Sequence, residues 1–133
     1  MITEIMEYLG NQIDEVNYSS DSINSNIFDN TLPSSPDLAI MVENTGGFPR
    51  DMKHIKYFRP TIRVLVRGSK DPRQARNLSE KIIDSIGTLG NIQFGKWRIV
   101  KSQAVQSHPI NIGRDDNDRH RFSCNFELEI QEV

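Results

Sequence analysis

Apolar and polar residues alternate without a break along Arg121-Phe122-Ser123-Cys124-Asn125-Phe126-Glu127-Leu128-Glu129-Ile130, the even positions apolar and the odd ones polar. A period of two is that of a strand with one buried face, and it predicts a strand over 120–131. Ile62, Val64 and Val66 alternate with Thr61, Arg63, Leu65 and Arg67 after Arg59-Pro60, which predicts a strand over 60–67. The run Leu38-Ala39-Ile40-Met41-Val42 is continuously apolar. It reads as a strand over 37–43 covered on both faces, by a helix on one and by a neighbouring subunit on the other. A fourth strand, 97–106, opens on Trp97, Ile99 and Val100. The Ser-, Asn- and Asp-rich stretch from Ser19 to Ser35 reads as a connection with a short edge strand near Ile27 and Phe28.

The pattern changes to a helical period twice. Ile2, Ile5, Met6, Leu9, Ile13 and Val16 share one face, predicting a helix over 3–17 with Thr3 as its N-cap. Ala75, Leu78, Ile82 and Ile86 form the buried face of a second, 72–87, where Asp71 caps the start and Pro72 takes the first helical position. Proline costs nothing there, because the N–H it lacks would have no partner in the helix. The expected fold class is α+β: a single domain over 1–133, with an antiparallel or mixed sheet of four to five strands flanked by two helices. Two long polar connections remain, 44–58 and 107–119, and long loops of compact domains tend to carry function.

Composition narrows the function classes. A chain of 133 residues suits one core, and a 36% hydrophobic share leaves little apolar material for anything else. The net charge of −2 argues against a domain whose main work is neutralising phosphates. No apolar run reaches the length of a membrane span, and the acidic N-terminal region is unlike a signal peptide, so synthesis in the cytoplasm and no membrane partner are expected. The single cysteine, Cys124, excludes an internal disulfide.

Candidate chemistry fails residue by residue. His120 and Cys124 share strand parity, but four strand residues separate them by about 13 Å, too far to hold one ion. Cys124 between Phe122 and Phe126 reads as a buried thiol. Asp116, Asp118 and Glu127 loosely match calcium-hand spacing, yet Arg121 stands where the loop needs glycine, so Asp115, Asp116 and Asp118 read as a solvated turn. There is no nucleophile elbow, phosphate-binding glycine loop, zinc-protease helix or dinucleotide fingerprint, and Gly46-Gly47 alone indicates a turn. Neither enzyme activity, nor a metal, nor a cofactor is expected.

What remains is basic. Arg59, Arg63 and Arg67 share parity on one strand, preceded by Arg50, Lys53 and Lys56. They read either as a phosphate-contacting stripe or as partners for Glu127 and Glu129 across the sheet or a subunit boundary.

Several blocks together carry a family resemblance: the amphipathic first helix, the apolar strand, the Gly-Gly-Phe-Pro loop, the run Arg59-Pro60-Thr61-Ile62-Arg63-Val64-Leu65-Val66-Arg67-Gly68, the helix after Pro72, and the closing Gly-Arg-Asp-Asp and Arg-Phe-Ser-Cys-Asn-Phe-Glu-Leu segments. The chain resembles the minor-capsid and tail-terminator (tail completion) proteins of long-tailed bacteriophages. The resemblance implies a structural virion protein without chemistry of its own. Made in the bacterial host cytoplasm, it would form a homo-oligomeric ring, usually of six subunits, at the head-proximal end of the tail. The ring would stop growth of the tail tube, contact the tube protein and a head-completion or connector protein, and let DNA pass without specific binding.

A chain of this length has a radius of gyration of about 14 Å, so six subunits roughly 35 Å across leave a hole about one subunit wide. The expected interface residues are Phe48, Arg50, Lys53, His54, Arg59, Arg63, Arg67, Asp115 and Asp116. The long connections 44–58 and 107–119 are expected to face neighbouring subunits or the lumen, and to exchange amide hydrogens quickly in an isolated subunit. A head-completion neck protein of similar fold, and a nucleic-acid-binding module using the arginine-rich strand face, are the alternatives.

Overall fold

The computed structural model describes residues 1–50 and 56–133. Ten elements follow in order: α1 (Ile2–Gln12), β1 (Ile27–Asp29), β2 (Ala39–Gly47), β3 (Tyr57–Phe58), β4 (Pro60–Arg67), α2 (Pro72–Ile86), β5 (Gly90–Phe94), β6 (Trp97–Ala104), β7 (Ile110–Arg114) and β8 (His120–Glu132). They build an α+β unit in which two helices cover one face of a single eight-stranded sheet. Its main path is β1-β2-β4-β8-β6-β5, with β3 and β7 also paired to β8. β1 runs parallel to β2 and the remaining pairs are antiparallel, so the sheet is mixed.

The strand parity read from the sequence sets the core. Val64 lies opposite both Val42 and Cys124, Ile62 opposite Phe126, and Val66 opposite Ile40 and Phe122. These side chains meet Ile5 and Leu9 of α1 and Leu78 and Ile82 of α2 in one apolar cluster. Phe126 and Ile82 are wholly buried. The Asp71 cap forms as expected, its carboxylate accepting the Arg73 N–H at 3.0 Å.

The sheet is larger than the four to five strands expected. β5 and β7 each carry only one short alternation, Ile92-Gln93-Phe94 and Ile110-Asn111-Ile112, too brief to stand out from a polar connection, and β7 is exposed along its whole length. β7 lies within the segment expected to be a polar loop, and it extends the line of β6 along β8: Ala104 pairs with Phe126 and Ile110 with Ser123. β2 likewise continues past 43 to Gly47.

The first helix ends at Gln12 rather than 17, with Ile13 already extended at φ −125° and ψ 122°. Ile13 and Val16 are nonetheless buried, so their spacing matched a helix while their burial comes from a tertiary clamp. Asn26 supplies that clamp. Its side chain accepts the Asn17 N–H at 2.8 Å and donates to the Glu15 carbonyl at 2.8 Å, while its own N–H bonds the Asn17 carbonyl at 2.9 Å. The expected Thr3 cap is absent: Met1 occupies the N-cap position and provides no side-chain hydrogen bond.

The covering of β2 also differs from the expectation. Met41 points away from the helices and is 9% exposed, with Phe28 and Leu65 beside it in register at 6% and 7%. Burial of its second face is achieved within one chain and needs no neighbouring subunit.

Candidate functional site

The arginine stripe does not survive as a stripe. Arg63 faces Glu43, its register partner on β2, and donates Nε to Oε2 at 2.8 Å with Nη2 on the same oxygen. Arg67 is 3% exposed and donates to two backbone carbonyls, Pro36 at 2.6 Å and Asp37 at 3.2 Å. Burial, then the nearby Arg119 guanidinium, pulls its pKa below the usual arginine value. The carboxylates of Glu127 and Glu129, anticipated as partners within the subunit, take neither arginine; Glu129 instead accepts the Tyr57 hydroxyl at 2.7 Å. That hydrogen bond, followed by burial, raises the Tyr57 pKa.

Arg119, which the sequence did not single out, organises the other end of the sheet. Its buried guanidinium donates Nε to Asp115 Oδ2 at 2.8 Å, and Nη1 to the Ser34 carbonyl at 2.6 Å and to Asp37 Oδ1 at 3.2 Å. Asp115 Oδ1 accepts the N–H groups of Asn117 and Arg119, both at 2.9 Å. Burial works to raise the Asp115 pKa, but these N–H donors and the guanidinium outweigh it and hold the carboxyl below its ordinary value. Asp115 therefore shapes the β7–β8 turn, Asp116 stays exposed beside it, and Arg67 and Arg119 together fasten the 34–37 segment to the sheet.

Of the remaining expected interface residues, Phe48, Arg50 and Arg59 gather at the opposite strand ends. Gly47 has φ +121°, and a Cβ there would lie 2.5 Å from the Arg59 carbonyl and Pro60 Cα, so only glycine lets β2 approach β4 this closely. Gly46-Gly47 is thus part of a strand irregularity rather than a simple turn. The approach lets the Phe48 N–H bond the Arg59 carbonyl at 2.9 Å and places the Arg59 guanidinium 4.8 Å from the Phe48 ring centre. Arg50 sits 4.3 Å from the ring centre of Phe58, whose own neighbour is Trp97 at 5.8 Å. Lys53 and His54 lie outside the described residues.

A third surface is the edge of β7, which among the described residues pairs only with β8. Ile110 and Ile112 of β7 are 45% and 38% exposed, and Val105, whose N–H bonds the Asn125 carbonyl further along β8, is 60% exposed. No cluster of His, Cys, Asp and Glu suited to a metal occurs among the described residues. Cys124 is buried, with its thiol pKa pushed up to about 12 by desolvation, and is too poor a thiolate for nucleophilic work. No helix among the described residues is long and apolar enough to cross a membrane.

A family model described as bacteriophage tail terminator protein matches residues 8–132. The chain belongs to this family. A tail terminator protein is a structural component of the phage tail and virion, which implies a non-enzymatic role for its surfaces. Among solved structures, a chain of the "Virion of native gene transfer agent (GTA) particle" is similar, with a TM-score of 0.58 and 10% identity over 95% of this chain and 93% of that one. At that identity the likeness is one of fold. No curated protein sequence matches.

Proposed function

We propose that this tail terminator protein assembles as a closed ring of six subunits at the head-proximal end of the tail, where it ends growth of the tube and joins tail to head. The family match over nearly the whole chain carries the reading, and three features of the subunit support it. The β7 edge, with Ile110 and Ile112 on the strand and Val105 beside β8, suits a lateral contact, because an exposed strand edge and exposed apolar side chains both favour association. The helix-free sheet face mixes charges of both signs: Arg63 is paired with Glu43, and Lys101 stands opposite Glu129 in register. Such a face would line a lumen through which DNA slides without being retained. The two strand ends differ in chemistry, as suits a ring with one partner on each side. Phe48, Arg50 and Arg59 stand at one end, and the turn bearing Asp115 and Asp116 at the other, with the tail tube protein and a head-completion or connector protein as the two partners.

The nucleic-acid alternative loses its main support, since two of its three arginines are engaged within the chain. Size exclusion with light scattering, followed by electron microscopy alone and with isolated tail tubes, tests the proposal. A species of 6 × 15.3 kDa, about 92 kDa, or rings confined to tube ends, is expected. A protein that stays monomeric at every concentration and leaves tube ends bare would refute it.

A further inference from the structure

The strand-end corner around Phe48 forms a cleft of about 280 Å³. Its floor is apolar, made by Phe58, Pro60, Trp97, Ile130 and Met1, and Phe48, Arg50 and Arg59 stand at its rim. Lys96 lies 5.0 Å from the Trp97 ring centre and Lys56 is exposed beside the end of β8, where its carbonyl accepts the Glu132 N–H. Among the described residues none of these four cations forms an ion pair with a carboxylate. Of the carboxylates in this region, Glu4 is engaged by the Met1 amino group and Glu129 by the Tyr57 hydroxyl. Glu127 lines the adjoining cleft beside Arg59 and Glu132 lies opposite Trp97 in register, and among the described residues neither of these forms an ion pair with the four cations.

We propose that this corner is a docking site for a partner protein segment that presents an apolar side chain flanked by carboxylates. An apolar floor with two arginines at its rim and two lysines nearby matches such a segment in both respects. The anchor side chain is desolvated in the cleft, where interface energy concentrates, while the flanking carboxylates meet guanidinium groups already oriented by the aromatic rings. Duplex DNA fits less well, because phosphates gain nothing from an apolar floor and a duplex cannot enter a cleft of side-chain size. The inference deepens the ring reading by giving the chemistry of the partner on one face of the ring, and it rests on that reading only for the partner's being a tail or head protein.

A direct test uses a short fluorescein-labelled peptide with Leu-Phe between two Asp-Glu pairs, a second peptide with Ser-Ser in place of Leu-Phe, and labelled duplex and single-stranded DNA. Each is titrated against the whole chain by anisotropy. The first peptide should bind best, and Phe48→Ala and the double change Arg50→Gln/Arg59→Gln should each weaken it about tenfold, the size of a modest hot spot. Both variants alter exposed side chains, and circular dichroism checks that the fold persists.

Equal binding of the two peptides, or variants that bind like the parent chain, would overturn the proposal. So would DNA binding whose salt slope falls by about two in the double variant, the mark of two lost phosphate contacts. Ring formation is scored in the same samples. Peptide binding by a chain that never assembles would leave the docking site standing and remove the ring, whereas rings that ignore the peptide would do the reverse. Rings lost in the double variant would place the corner between subunits and sink the proposal.

Discussion

Replacing Arg119 by Ala should destabilise the subunit by about 1.5–3 kcal/mol, the range for losing a hydrogen bond from a charged donor. The side chain is 9% exposed and reaches Asp115, itself 17% exposed, at 2.8 Å, so solvent screens this contact from the Asp115 side only. The second contact, to Asp37, adds little because that carboxylate is 75% exposed. The hydrogen bond to the Ser34 carbonyl contributes about 1.5 kcal/mol at the lower end for a charged donor, part of which water recovers once the arginine is gone.

Urea unfolding read by tryptophan fluorescence measures the change, and the thermal midpoint should fall by roughly 10 °C for a domain of this size. Acid supplies a second readout. The Asp115 pKa is depressed in the folded state, so its pairing stabilises fully above the ordinary carboxylate pKa of 3.8 and is lost as pH falls through the lowered folded value. The difference between parent and Arg119→Ala should therefore be constant at neutral pH and shrink below about pH 4. A loss under about 1 kcal/mol at pH 7, the scale of an exposed pair, would show that the clamp on residues 34–37 does not hold the fold.

Phe126→Ala should cost about 3–5 kcal/mol, because the ring is fully buried between sheet and helices; a chemical-denaturation loss below 1 kcal/mol would refute the facing of β8. A double-mutant cycle on Glu43→Gln and Arg63→Gln should give a coupling of about 0.5–1 kcal/mol, since both side chains are about a third exposed and screened. Asp71 is held at about 2 by the Arg73 guanidinium and then by the Arg73 N–H. The gap in thermal midpoint between parent and Asp71→Ala should thus be full above pH 3.8 and close as pH falls through about 2. A gap that does not change with pH would mean that the carboxylate charge adds nothing to the cap.

Alternation and helical spacing determined much of this protein without the structure. The faces of β4 and β8, the apolar run of β2, the span and cap of α2 and the burial of Cys124 follow from local periodicity, because a half-buried element must repeat its apolar residues at its own pitch. The order of these blocks also placed the chain in its family, which the match over residues 8–132 bears out. A period of only three residues, as in Ile92-Gln93-Phe94 and Ile110-Asn111-Ile112, is too short to be read. β5 and β7 become strands by pairing with β6 and β8, and α1 stops early because Asn26, distant in sequence, supplies the hydrogen bonds that a further turn would have made.

The arginines show the same division. Parity put Arg59, Arg63 and Arg67 on one face, but their environments depend on register and on chain crossings that no local pattern encodes. Glu43 lands opposite Arg63, the carbonyls of Pro36 and Asp37 meet Arg67, and the backbone of Gly47 pressed against Pro60 brings Phe48 under Arg59. Sequence chemistry supplied the groups, and tertiary structure decided which charges are spent inside the fold and which remain on the surface for a partner.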